Sequence, residues 1–388
     1  MLVEGIGELV TNDLSHGPAL GIVHDAAVAI DGDRVVWAGP RAAAPEGIPG
    51  PSLDLGGRAA LPGFVDAHTH LVFAGDRTEE FDARMRGRPY EAGGIGSTVQ
   101  ATRAATDEAL AAGARRLADE AIRSGTTTLE VKSGYGLTVE DEARLLTIAG
   151  AVGDEMTFLG AHVVPPECAD DPDGYVDLVC GAMLDACAPL AGWCDVFCDR
   201  GAFDGSQARR VLQAGRDRGL GLRVHANQLE HGPGAQLAAE LGAASADHLN
   251  HLRSEDREAL AAAGVVATLL PMADLSTRSP WPDARALLDV GVTVALATDC
   301  NPGTSFTTSM PIVVALAVTA MGMTPHEAVW SATAGGATAL RRTDVGNLAV
   351  GARADLVAID GPSCVHLAYR PGVTLVSTVI RAGEVVVG

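Results

Sequence analysis

Eight short apolar runs, most of them separated by Ala-rich stretches with helical periodicity, constrain this chain more than any other feature. The runs are GFVDAHTH (63–70), TTTLEV (126–131), TFLGAHVV (157–164), CDVFC (194–198), LRVHANQ (222–228), ASADHL (244–249), VVATLL (265–270) and VTVALATD (292–299). Helical stretches fall at 98–124, 139–152, 206–219 and 254–263. Thr138 with Asp141, and Thr324 with Glu327, read as helix starts, because a side-chain oxygen there accepts an N–H that the first turn leaves unpaired. Repeated strand–helix units of this number predict an α/β fold, a parallel (β/α)8 TIM-like barrel, rather than an open sheet.

Both ends carry a different pattern. AVAIDGDRVVWAGP (27–40) has two apolar runs around an Asp-Gly-Asp turn, a hairpin signal, and ADLVAID (354–360) with TLVSTVIRAGEVVVG (374–388) repeats it. Neither end makes a core alone. A composite β-sandwich domain of 1–59 plus 346–388 is therefore expected around a barrel domain of 60–345.

A formal charge of −21 over 388 residues argues against nucleic acid and anionic membrane, both of which select basic surfaces. No apolar run reaches membrane-spanning length, and residues 1–11 carry Glu4 and Glu8 without a basic start, so a cytoplasmic protein is expected. The seven cysteines contain no C-x-x-C, so buried free thiols are expected, Cys194 and Cys198 included. Lys132 is the one lysine among 28 basic residues, a bias assigned to genome composition.

In such barrels the reactive groups sit at the C-terminal ends of the strands. Residues two apart on a strand share a face, so His68 and His70 point the same way and Thr69 the other. The third run carries His162, the fifth His225, the sixth His248, and the eighth ends in Asp299. Three imidazoles and a carboxylate suit a first-row divalent metal with room for water. His16, His24, His231, His251, His326 and His366 lie in loops, helices or terminal segments and receive no role.

The H-x-H of the first run, the histidines of the fifth and sixth and the aspartate of the eighth resemble the amidohydrolase superfamily, whose usual companion is a small β-domain built from both termini. HLVFAGDR (70–77), EVKSGYGLT (130–138), FLGAHVVP (158–165), DVFCDRGAF (195–203), SADHL (245–249) and ATDCNPGTS (297–305) are similar to its imidazolonepropionase family, over nearly the whole chain. That resemblance implies hydrolytic opening of 4-imidazolone-5-propanoate to N-formimidoyl-L-glutamate in histidine degradation. It implies one divalent metal ion per subunit, zinc or iron, on His68, His70, His225 and Asp299, with Asp299 as proton acceptor and His248 as electrophile or proton relay. It also implies Arg77, Tyr135, His162, Gln228 and Thr304 as substrate contacts, and Asn301 and Gly303 as product contacts. A homodimer is expected, with a small-molecule substrate.

Some of these roles have physical support in the residues themselves. The Arg77 guanidinium offers a permanently charged fork for a carboxylate, although Glu79 or Glu80 offers it a partner nearby. Glycines on both sides of Tyr135 allow close approach to a ligand, and capping the barrel rim is the alternative. The fourth run has no lysine to bridge a second metal, and Asp199 is expected to be structural. Gln228 stands where nucleobase deaminases and some imidazolonepropionases have Glu and cannot carry protons, which leaves that work to Asp299 and His248. The rival readings are a purine or pyrimidine deaminase on the same barrel, disfavoured by Gln228 and Arg77, and a non-catalytic scaffold, disfavoured by the intact ligand set.

Overall fold

The computed structural model describes residues 1–87 and 94–388. It divides into two compact units, one of Met1–Ala67, Asp119–Thr128 and Ser309–Gly388, the other of His68–Ala118 and Leu129–Thr308.

The first unit contains an eight-stranded sheet built from both termini. Leu2–Val10 runs antiparallel to Ile22–Asp31, which turns through Gly32 into Arg34–Pro40, the hairpin expected from the sequence. Leu356–Ile359 pairs antiparallel with Ala59–Pro62, and that pairing joins the chain's two ends in one sheet. Val3, Ile6, Leu9, Val28, Ile30, Leu356 and Ile380 form its buried face, so the two ends supply halves of a single core.

The barrel sheet runs Phe64–Asp66, Thr126–Lys132, Glu155–Ala161, Trp193–Cys198, Gly221–Ala226, Ser245–His248, Val266–Leu269 and Val294–Leu296, each strand next to its neighbour in sequence. Parallel strands with both faces covered read as continuous apolar runs, and Thr126–Lys132 and Trp193–Cys198 are buried throughout. Beyond the last strand, the Asp299 N–H donates to His68 O at 3.0 Å and the His70 N–H to Cys300 O at 2.9 Å. The first and eighth positions are thereby tied together, and His68, His70 and Asp299 come to lie side by side.

Two local details differ from the sequence reading. The first strand ends at Asp66, so the H-x-H lies in an extended segment just past it. The helix expected over 98–124 is two helices, Ile95–Ala104 and Asp107–Arg123. Between them Ala105 is extended (φ −75°, ψ 153°), and Thr106 Oγ1 accepts the Ala109 N–H at 3.3 Å, which starts the second helix. The starts at Thr138 and Thr324 are as expected, their hydroxyls accepting the N–H of Asp141 at 3.0 Å and of Glu327 at 3.3 Å. All seven cysteines are free, and burial pushes the Cys198 thiol up to about 12. Among the described residues no helix is long and apolar enough to cross a membrane.

Candidate metal centre

His68, His70 and His225 are buried and offer nitrogen atoms that all lie within 4.8 Å of one another. His68 Nε2 and His70 Nε2 are 3.3 Å apart, and Asp299 Oδ1 is 3.5 Å from each. The period-two expectation for H-x-H therefore holds. Thr69, between them, turns the opposite way, its hydroxyl donating to Glu130 O and its N–H to Glu130 Oε2 at 3.1 Å. Burial pushes His68, His70 and His248 well below the ordinary imidazole range, and the neutral imidazole is the form that binds a metal.

Two buried carboxylates back the imidazoles. Asp247 Oδ2 is 2.7 Å from His68 Nδ1 and Asp195 Oδ2 is 3.0 Å from His225 Nδ1. A carboxylate only accepts, so Asp247 holds the His68 ring proton on Nδ1 and leaves its Nε2 bare, while Asp195 stands at ion-pair distance from His225 Nδ1. Among the described residues neither ring nitrogen of buried His225 has a hydrogen-bond partner. A bare imidazole nitrogen facing a second one and a carboxylate is a donor set that a divalent cation satisfies.

Behind these carboxylates lies a buried ionic cluster. Lys132 Nζ is 2.8 Å from Glu130 Oε1, 3.0 Å from Asp195 Oδ2 and 4.0 Å from Asp247 Oδ2, and Arg223 Nη2 is 3.5 Å from Asp247 Oδ2. Burial opposes charge on Lys132, yet Glu130 and Asp195 beside it hold its pKa above the ordinary lysine value.

One cavity is lined by His70, Arg77, Tyr135, His162, His225, Gln228, His248, Asp299, Asn301 and Thr304. Nearly every residue singled out in the sequence thus meets at one place. His68 lies beneath it, fully buried, and Gly303 lines an adjoining cavity that shares Arg77 and Thr304.

The loops explain how individual groups are aimed. Glu142 accepts the N–H groups of Gly134 at 2.9 Å and of Gly136 and Leu137 at 2.8 Å, which sets the loop bearing Tyr135. Gly134 O in turn accepts from His162 Nδ1 at 3.0 Å, so His162 presents a bare Nε2. Gly134 sits at φ +104°, and a Cβ there would stand 2.9 Å from His162 Nδ1, so both its conformation and its neighbour require glycine. Burial lowers His162 to about 3 and keeps it a neutral acceptor. Asp199 Oδ2 accepts the N–H of Gln228 at 2.6 Å and of Leu229 at 3.0 Å, the structural place expected for it.

Three contacts differ from the sequence reading. The Arg77 fork is spent on Glu80, with Nε donating to Oε2 and Nη2 to Oε1, both at 2.7 Å, so Nη1 is the group left over. Asn301 turns inward: its Oδ1 accepts the N–H groups of Gly303 and Thr304 at 2.8 Å, and its Nδ2 donates to Asp299 O at 2.7 Å. Both Asn301 and the Gly303 N–H are therefore occupied in shaping the loop, and a Cβ on Gly303 would meet Arg77 Nη1 at 2.2 Å. Sequence reasoning missed Glu130, Glu142, Asp195, Arg223 and Asp247. For all but Glu142, which sits in the acidic first turn of a helix, the available signal was a charge inside a run otherwise apolar enough to be buried.

The chain matches the Amidohydrolase family model over residues 59–386. It is 65% identical to an imidazolonepropionase from Streptomyces griseus over 99% of both chains. It is 63% identical to one from Mycolicibacterium smegmatis over 100% of this chain and 97% of that one. Among solved structures, atrazine chlorohydrolase from Arthrobacter aurescens complexed with zinc superposes with a TM-score of 0.72 at 18% identity, covering 100% of this chain and 95% of that one. An adenosine deaminase from Xanthomonas campestris with bound zinc gives 0.73 at 22%, over 100% and 92%. At such low identity these two show the fold alone. With sequence identity above 60% over essentially full length, the chain belongs to the imidazolonepropionase family of the amidohydrolases.

Proposed function

We propose that this chain hydrolyses the cyclic amide 4-imidazolone-5-propanoate to N-formimidoyl-L-glutamate in histidine degradation. The observation that carries this is the convergence of a three-imidazole, one-carboxylate donor set and the Arg77 guanidinium on one cavity, in a chain so close to named imidazolonepropionases. One divalent ion, zinc or iron, is held by His68, His70, His225 and Asp299. When bound it supplies a Lewis acid that acidifies water and polarises a carbonyl. The finer parts of the proposal are one ion per chain, a homodimer, and a cytoplasmic location.

The chain's own groups divide the remaining work. Asp299 accepts the proton that the attacking water gives up, and His248, at the cavity wall, hydrogen-bonds the lactam oxygen as charge develops there. His162 accepts a ring N–H through Nε2. The Gln228 side-chain amide, on a backbone whose N–H Asp199 accepts, both donates and accepts without moving protons. Arg77 holds the propanoate through Nη1, and Tyr135 and Thr304 close the walls. Asn301 and Gly303 act by shaping the loop that carries Thr304.

Purified protein is expected to bleach the absorbance of 4-imidazolone-5-propanoate, to stop when stripped by a chelator, and to recover with one equivalent of zinc or iron. Ammonia release from guanine or cytosine, with no action on the imidazolone, would replace this reading with a deaminase. Two tightly held equivalents, both needed for turnover, would overturn the single-ion arrangement.

Arg77→Met is expected to lower kcat/KM by about ten- to a hundred-fold, the effect of one charge-assisted hydrogen bond worth roughly 1.5–3 kcal/mol. Arg84 Nη1, 3.6 Å from Glu80 Oε1, leaves Glu80 a cation in the variant. Arg77→Lys is expected to recover little, because a single ammonium cannot serve Glu80 and a substrate carboxylate at once. An equal loss on an imidazolone lacking the propanoate chain would place the carboxylate elsewhere.

A further inference from the structure

We infer that Lys132 is a positioning residue of this centre: its ammonium holds Asp195 and Asp247 where they orient the rings of His225 and His68. The inference rests on the metal-centre reading above and deepens it. Lys132 touches neither the cavity nor any of the four donor residues, and it is completely buried. Its Nζ lies 3.0 Å from Asp195 Oδ2, the same oxygen that stands 3.0 Å from His225 Nδ1. The second carboxylate, Asp247, is 4.0 Å away and 2.7 Å from His68 Nδ1. Its closest partner, Glu130, accepts the N–H of Thr69, the residue between His68 and His70. One cation is thus linked to His225 and His68 by a single intervening residue each, and to His70 through Glu130 and Thr69.

Stability alone gives a poor account of such a group. Removing charges from water is expensive, and a buried ionic cluster is often no more stable than apolar side chains of the same volume. A carboxylate behind a metal-binding imidazole must be held still, because it sets both the tautomer and the ring's direction. Asp195 Oδ1 is fixed by the N–H groups of Val196 at 2.7 Å and His225 at 3.2 Å. The Lys132 ammonium is the cation 3.0 Å from the other oxygen, the one facing the ring.

The charge balance makes the proposal testable. Removing a cation near the centre would, by Coulomb's law alone, tighten the binding of another cation. Loss of positioning acts in the opposite direction. Zinc affinity of the full chain, read by competition with a chromophoric chelator, is expected to fall by about 10–100-fold in Lys132→Met. The gain in melting temperature on zinc loading is expected to shrink with it, since that gain tracks affinity; a purely structural loss would lower the metal-free and loaded melting temperatures together. The paired variant Lys132→Met with Glu130→Gln removes one charge of each sign, and it keeps an oxygen for the Thr69 N–H. It is expected to fold and to show the same weakening. Asp195→Asn, of the same shape, tests the link from the other side and is expected to weaken zinc by a similar factor. Zinc binding as tight as, or tighter than, that of the unaltered protein in the paired variant would overturn the inference. Failure of the unaltered protein to bind zinc through His68, His70 and His225 would instead remove the reading beneath it, and the two failures are read from different samples.

Discussion

Replacing Asp299 with asparagine is expected to lower kcat by about 10²–10⁴-fold, the usual worth of a positioned proton acceptor, while leaving the chain folded. Asp299 sits at φ +52° just beyond the eighth barrel strand, a left-handed conformation that most side chains resist. Asparagine tolerates that region about as well as aspartate, so the backbone that seats the residue survives the change. Its N–H bond to His68 O also survives. What disappears is the charge and the ability to take a proton. Burial pushes the Asp299 carboxyl well above its ordinary range, so a neighbouring cation is needed to keep it ionised and able to accept. Bound zinc and kcat should be measured on the same preparation. A variant that holds zinc but has lost turnover supports the proton role, and one that keeps turnover within a few-fold of the unaltered enzyme rules it out.

The same position shows what can be read in sequence and what cannot. The strands were legible because parallel strands covered on both faces must be apolar along their length. The donor residues stood out because each is a His or Asp at the end of such a run. His68 and His70 followed from strand periodicity alone, even though regular pairing stops at Asp66. Asp195, Asp247, Glu130 and Lys132 were not legible in the same way. Each lies inside an apolar run, where a charge counts against burial until its partner on another strand is known. Glu130 and Lys132 face each other two residues apart on one strand, but their other partners lie on different strands, so no local pattern reports the cluster. Lys132 was visible as the only lysine, but its rarity carried no information about its neighbours.

Loop geometry was hidden for another reason. Arg77 was read as a fork aimed at substrate, yet a helix beginning at Thr78 brings Glu80 round to take the fork. Asn301 was read as a product contact, but an asparagine side chain can accept the N–H two residues further along its own loop, and here it does. In both cases the residue belongs to the site and the local backbone decides which of its atoms remain available. His248 and Leu249, at φ +76° and +65°, belong to the same class. Their left-handed backbone costs of the order of 1–3 kcal/mol per residue and is found where side chains must be aimed off a strand end.

The largest effect away from the donor residues is expected at Glu142. Its two oxygens accept three backbone N–H groups, of Gly134, Gly136 and Leu137, and the carboxylate is wholly buried. Glu142→Gln keeps the volume but turns one oxygen into a donor. The favourable orientation leaves the amide oxygen on Gly136 and Leu137, which sets the new NH₂ against the Gly134 N–H. An unsatisfied buried donor costs about 1–3 kcal/mol, and the lost charge weakens the two remaining bonds as well. A destabilisation of about 3 kcal/mol is therefore expected, measured as a shift in denaturation midpoint with an unchanged slope. The loop's position matters to the site as well as to stability. Gly134 O holds the His162 Nδ1 proton at 3.0 Å, so a displaced Gly134 releases the ring that offers Nε2 to substrate. Tyr135, whose ring lies 5.6 Å from that of His162, moves with it. KM should accordingly rise several-fold in Glu142→Gln under conditions where the variant is fully folded, with bound zinc little changed, because none of the donor residues lies in this loop and it meets them through the Tyr135 ring, 5.9 Å from that of His70. Glu142→Ala, which orphans all three N–H groups, should lose more on both counts. If Glu142→Gln denatures earlier but binds substrate normally, the carboxylate is a support of the fold alone, and His162 must be held in place by something other than Gly134.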